Sequence, residues 1–317
     1  VEWAKTAKDV GMQTSMILRG GRVSSAADAW QVSKELHERS GRTAGNGSLM
    51  RTGPVGIATL HSAEQTAENA RKIGELTHWD PLAGDACVLW CLAIREAVLN
   101  DNLDIRVGIE HLPAERQQQW LELIEEAEAN QPAYFSHNGW VIHAFQAAWS
   151  AIYLAVNAPS SQAPLEAHRL RIGLENAIRA GYDTDTVAAI AGSLLGAKYG
   201  YTAIPRVWAR QLHGWPGLGT QELVTLATLA LNGGAPGPKG WPGVKHFDHS
   251  MWPDRFELAQ HPHDPGLWLG GVGSIENLPE EVDAVVSLCR VGTEDMPDHV
   301  VHNIQVMLMD EESADAN

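Results

Sequence analysis

Two stretches of this sequence hold residues that chemistry can use and that packing does not explain. One is GYDTDTVAAIAG, in which Asp183, Thr184, Asp185 and Thr186 stand immediately before an apolar helical run. Two carboxylates and a hydroxyl are hard oxygen donors, the kind that Mg2+ takes together with water. A continuous helix does not aim residues i and i+2 at one point, but a turn can. The same residues also read as an N-cap cluster, because Asp and Thr are favoured there and their charge complements the helix dipole. On the residues alone both readings stay open.

The other stretch is AGNGSLMRTGPVG, residues 44–56, which crowds glycines, an Asn and a Ser around a single Arg. No apolar face comes out of Gly45, Asn46, Gly47 and Ser48. Glycine at this density marks tight backbone or close approach by something that is not protein. Met50 and Arg51 close the stretch and read by themselves as a core Met and a structural Arg. His78, in LTHWD, is a lone histidine whose plain reading is also structural.

Helices must position both stretches. ERQQQWLELIEEAEAN (115–130) places Trp120, Leu123, Ile124 and Ala127 on one stripe, with acids on the other faces. GDACVLWCLAIREAVL (84–99) and GWVIHAFQAAWSAIYLAV (139–156) are apolar nearly all round, as helices at the centre of a bundle are. TVAAIAGSLLGAKYG (186–200) carries Val187, Ile190, Ala191 and Leu194 at helical spacing, and TQELVTLATLAL (220–231) is amphipathic with Thr220 as its expected N-cap. Beyond NGGAPGPKGWPG, which is turn and linker chemistry, come two Val-rich, strand-like segments at 282–291 and 299–310.

Composition narrows the function. A formal charge of −16 over 317 residues opposes a phosphate-neutralising nucleic-acid surface, though not a small anion held in a local pocket. The three cysteines include Cys87 and Cys91, one helical turn apart in an apolar run, where they read as small hydrophobes. No spacing suggests zinc or a disulfide framework, which fits a reducing, cytoplasmic home. The apolar runs are too short or too interrupted to span a bilayer, so no membrane partner is expected.

GNGSLMRTGPVG, THWDPLAGDACVLWCLAI and GYDTDTVAAIAGSLLGAKYG follow the order and spacing of the ADP-ribosylglycohydrolase family, and LHGWPGL (212–218) strengthens the resemblance. It covers roughly residues 1–231. It implies an all-α orthogonal helical bundle with two Mg2+ ions at the mouth of a cleft. The implied reaction cleaves the bond between ADP-ribose and a modified protein side chain or small acceptor, so the partners are ADP-ribosylated protein or a small ADP-ribose conjugate. By the same resemblance Asp183, Asp185 and Thr186 bind metal, and Thr184 is a spacer or cap. Gly45, Asn46, Gly47 and Ser48 border the ADP-ribose, where backbone N–H groups approach ribose and diphosphate that a Cβ would obstruct. His78 matches a family His near the ligand.

The family's second acidic motif, Thr-Asp-Asp near its N-terminus, is not found, nor is the upstream acidic residue implicated in catalysis. VEWAKTAKDVGMQT is similar to the segment just after them. The expectation is a chain without its N-terminal part, holding half a metal site, with catalytic residues unknown and no turnover by itself. The alternative function is a non-catalytic ADP-ribose-binding module, since the family also contains non-enzymatic members.

LWLGGVGSIENLPEEVDAVVSLCRV, with IQVMLMDEESADAN after it, is similar to the opening of a dual-specificity-phosphatase-like domain. Trp268, Gly270 and Gly271 match its aromatic-x-Gly-Gly turn, and Asp310 the end of its next strand. Its Cys-x5-Arg loop is absent, because Asp295 stands six residues after Cys289. The other reading is a two-strand appendage of the helical domain. The expected organisation is a helical domain at 1–232, a Gly/Pro-rich linker at 233–264 and the beginning of a partial α/β segment at 265–317.

Overall fold

Helices carry most of the chain in its computed structural model, which describes residues 2–7, 9–235, 258–288 and 296–305. Short helices α1 (Glu2–Thr6) and α2 (Met12–Leu18) precede α3 (Ala26–Ser40). Two brief turns, α4 (Leu49–Thr52) and α5 (Pro54–Ala58), lead into α6 (Ala63–Glu75) and α7 (Pro81–Asn100). Next come α8 (Ala114–Ala129), α9 (Val141–Val156), α10 (His168–Ile178) and α11 (Thr184–Tyr199), then α12 (Arg206–Ala209) and α13 (Thr220–Leu231). The chain divides into two compact units, Val1–Ala203 with Ala230–Gly234, and Ile204–Leu229 with Ala235–Asn317. None of the described helices is long and apolar enough to cross a membrane.

Local chemistry sets the helix ends. Ser25 opens α3 with a reciprocal capping box, its side chain accepting from Asp28 N–H while the Asp28 carboxylate accepts from Ser25 N–H. Hydrogen bonds from Ser24, and then from Ser25, hold the Asp28 carboxyl down at about 2. Asp80 caps α7 through Leu82 N–H, with Pro81 pre-set for the first helical position. The expected N-cap at Thr220 is corrected: this residue is already helical, and its hydroxyl donates to the Ala209 carbonyl.

The first unit is built around α7 and α9, the two sequences that are apolar on every side. Every residue of α7 from Ala83 to Ile94 is buried. It lies against α5, α6 and α11, and α9 lies against α8, α10 and α11. Trp90, Phe145 and Trp120 form an edge-on aromatic chain at its heart, with centroids 5.3 and 5.0 Å apart. Each such pair adds about 0.5–1.5 kcal/mol beyond the area it buries. Trp90 Nε1 also donates to the Ile190 carbonyl and to Ser193 Oγ, at 3.1 and 3.0 Å, which ties α11 to α7. The predicted inner face of α11, with Val187, Ile190, Ala191 and Leu194, is buried as its spacing requires.

One charge lies inside this apolar centre. Asp85 on α7 is fully buried. Arg71 from α6 reaches it at 2.7 Å, Arg116 from α8 pairs with it through two nitrogens, and Trp120 Nε1 donates at 3.2 Å. A buried carboxylate is tolerable only with such full pairing.

In the second unit β1 (Ala259–His261) pairs antiparallel with β2 (Asp264–Leu269). β3 (Ala284–Ser287) pairs in parallel with β4 (His302–Gln305), so the two Val-rich segments do contain strands that pair. Ile275, Met296 and Val300 form a small core with Val272, Leu278 and Val285. After β2 a Cβ on Gly270 would come within 2.9 Å of Leu258 Cδ1 and Ser274 Oγ, which explains a glycine there. Regular structure resumes at β1, inside the stretch read as linker. Cys289, Asp295 and Asp310 lie outside the described residues, as does 236–257 of that linker.

Candidate functional site

Gly181 and Tyr182 precede α11 with φ of +78° and +60°. Two consecutive left-handed residues turn the chain sharply, and for tyrosine that backbone is unusual. Asp183 follows at the N-cap position, but its side chain makes no cap hydrogen bond. Instead its Oδ2 accepts from Asn46 Nδ2 at 2.7 Å. Asp185 stands exposed in the first turn, and its Oδ1 accepts from Thr186 N–H at 2.9 Å. Thr186 is buried, with its hydroxyl directed at Met50 Sδ, 3.7 Å away. The cluster is therefore divided: Asp185 serves the helix terminus, and Asp183 turns to the glycine loop.

The loop arrives at α11 through a third segment. Gly45 bridges Trp140 in antiparallel fashion, Asn46 N–H donates to the Gly139 carbonyl and Val141 N–H to the Ala44 carbonyl. Asn138, fully buried, sits between them. Its carbonyl accepts from Asn46 Nδ2 at 2.7 Å, its Nδ2 donates to the Gly181 carbonyl at 2.9 Å, and its Oδ1 accepts from Asp183 N–H at 3.0 Å.

The glycines of the loop answer to His78. A Cβ on Gly45 would lie 3.2 Å from His78 Nε2, and one on Gly47 3.2 Å from Cε1. The imidazole, only 2% exposed, fills the space beneath the loop, while Gly45 and Gly47 themselves are half-buried. The loop thus turns its missing side chains inward, onto the imidazole. Ser48 is wholly buried, beside Gly74 and Cys87, and its Oγ has no hydrogen-bond partner among the described residues. Gln13 of α2 braces the same layer by donating to the carbonyls of Thr43 and Thr77 at 3.1 and 2.6 Å.

Arg51 lies behind the loop. It donates to the Gly47 carbonyl at 2.6 Å and to Thr77 Oγ1 at 2.7 Å, and burial lowers its pKa. Thr77 Oγ1 lies 2.6 Å from His78 Nδ1. Since that hydroxyl accepts from Arg51, the network assigns its own proton to Nδ1, leaving a neutral imidazole protonated on Nε2. Burial first, and the Arg51 charge second, push His78 down to about 3.

Asp183, Asp185 and Thr186 suit a hard cation in kind, because every donor is oxygen and no thiolate or imidazole stands among them. Their number is small, and two of the four carboxylate oxygens already accept protein hydrogen bonds. Among the described residues no group of three or more His, Cys, Asp or Glu side chains is close enough to hold a metal ion by itself.

This helical fold, with a glycine loop joined to an acidic helix start, defines a class. The family model for ADP-ribosylglycohydrolase matches residues 1–237, and the chain belongs to that family. It is similar to the ADP-ribosylhydrolase ARH3 of Homo sapiens, 29% identical over 199 residues, which cover 54% of this chain and 54% of that protein. The ARH3 of Bos taurus is likewise 29% identical with the same coverage, and that of Mus musculus is 28% identical over 54% of this chain and 53% of its own length. The chain thus spans about half the length of these relatives.

Sequence reasoning found the two motifs and missed two residues that join and brace them. Asn138 stands in SHNGW, just ahead of an apolar helical run. Its signal is an Asn-Gly pair before an apolar helix, which reads as a turn. Gln13 had no signal beyond being polar.

Proposed function

We propose that the protein hydrolyses the bond between ADP-ribose and a modified protein side chain or small acceptor, with Mg2+ as its cation. The observation that carries this reading is the 2.7 Å hydrogen bond from Asn46 to Asp183, which joins motifs 137 residues apart in a chain of this family. Relatives named as ADP-ribosylhydrolases support the substrate class.

In this reading Asp183, Asp185 and Thr186 would hold the cation, which would supply Lewis-acid stabilisation of developing negative charge. The chain's own residues do the rest. With no Cβ at Gly45 and Gly47, ribose and diphosphate can approach this half-buried loop closely. Asn46 fixes one Asp183 oxygen by a neutral hydrogen bond. His78, neutral and buried, supports the loop from below. Arg51 places a cation behind the loop, favouring an anionic ligand in front of it.

Replacing Asp185 by Ala in the intact protein tests the reading. Being exposed, Asp185 contributes little packing, so the variant is expected to keep its helical circular dichroism and lose Mg2+-dependent hydrolysis of an ADP-ribosylated peptide. A variant as active as the parent in Mg2+ removes Asp185 from the mechanism.

A further inference from the structure

Asn138 bonds to Asp183, to Gly181 and to the Asn46 amide that holds Asp183. It is fully buried. Its Oδ1 accepts the Asp183 N–H, its Nδ2 donates to the Gly181 carbonyl, and its own carbonyl accepts from the Asn46 amide that holds Asp183 Oδ2. The backbone entering Asp183 is the left-handed pair Gly181 and Tyr182, a conformation that unconstrained chain leaves readily. We infer that Asn138 is a positioning residue for the cation site: it clamps this turn and aims the Asp183 carboxylate, without itself touching cation or substrate. The inference rests on the reading of Asp183 as a cation ligand.

Asn138 spends its side-chain acceptor on Asp183 N–H and one donor on Gly181 C=O, so both sides of the turn are held by one rigid amide. Asn46 then has its Nδ2 shared between Asn138 and Asp183, which fixes the carboxylate rotamer from the loop side. Both partners are neutral. They orient Asp183 without discharging it, and Oδ1 is the oxygen that Asn46 leaves uncovered. Residues that orient a metal ligand typically change cation affinity about 10–100-fold when removed.

The test uses Asn138→Ala, Asn138→Ser and Asp183→Asn in the intact protein. Two quantities are read: the Mg2+ dissociation constant by calorimetry, and the hydrogen-exchange rate of the Asp183 amide without metal. Asn138→Ala is expected to weaken Mg2+ about tenfold or more and to speed Asp183 exchange, with circular dichroism unchanged. Should Asn138→Ala not fold, Asn138→Ser, whose shorter side chain cannot span Asp183 N–H and Gly181 C=O together, decides by the same Mg2+ shift. Mg2+ affinity equal to the parent in the folded variant overturns the inference. If Asp183→Asn loses Mg2+ binding while Asn138→Ala keeps it, only the positioning role falls. If Asp183→Asn keeps it, the cation-site reading falls too.

Discussion

Asp85 and Asp183 are both carboxylates held by protein groups, yet they are held in opposite ways. Asp85 sits in the apolar centre with two guanidinium groups and an indole N–H on its oxygens. Its charge is answered internally. Asp183 sits half-buried at a helix start with one oxygen on a neutral asparagine amide. Its shape is fixed and its charge is left over. Cationic partners make a carboxylate part of the scaffold, whereas neutral partners make it available to a cation from outside.

The largest expected effect separates the two in stability. Asp85→Ala leaves Arg71, Arg116 and the Trp120 N–H without their shared partner, and is expected to cost about 3–5 kcal/mol, read as a lowered urea midpoint at unchanged slope. Asp183→Asn keeps its shape and is expected to cost under about 1 kcal/mol. Equal losses would erase the contrast.

The sequence displayed more of the scaffold than of the site. The periodicities of α7, α8, α9 and α11 were legible because apolar spacing reports a helix directly, and the observed elements lie within a few residues of the expected ones. In the site, residue types announced Asp183, Asp185 and the glycine loop. Which atom bonds which was not legible. An N-cap position implies a capping side chain, but Asp183 bonds Asn46 across the fold instead. The glycines suggested a ligand in front, and the packing adds His78 behind. Asn138 and Asp85 were hidden for one reason: each acts through partners brought by distant helices, and no local spacing records that.

A smaller effect concerns pH. The folded state keeps His78 neutral down to about 3, while the unfolded chain protonates it near 6.5. Between these values the unfolded state binds the extra proton, so stability falls as the pH drops through that window. Going from pH 6.5 to 5 is expected to cost up to about 2 kcal/mol. His78→Gln should flatten the dependence of urea midpoint on pH. An unchanged slope would mean that His78 does not carry the acid sensitivity of this layer.

The smallest effect is steric. Gly47→Ala pushes a methyl against the His78 ring and is expected to cost about 1 kcal/mol, seen as a modest drop in melting temperature. In His78→Ala, which opens that space, the same substitution should cost nearly nothing; a full cost in both backgrounds would place the obstruction elsewhere.

In the proposed function the loop at Asn46 and the carboxylate at Asp183 form one cation-linked site. Calorimetric titration of ADP-ribose, with and without Mg2+, tests it most directly when run on the parent protein and on Asp183→Asn. The account predicts that Mg2+ tightens ADP-ribose binding in the parent and leaves it unchanged in Asp183→Asn. The same Mg2+-induced gain in both proteins would contradict it.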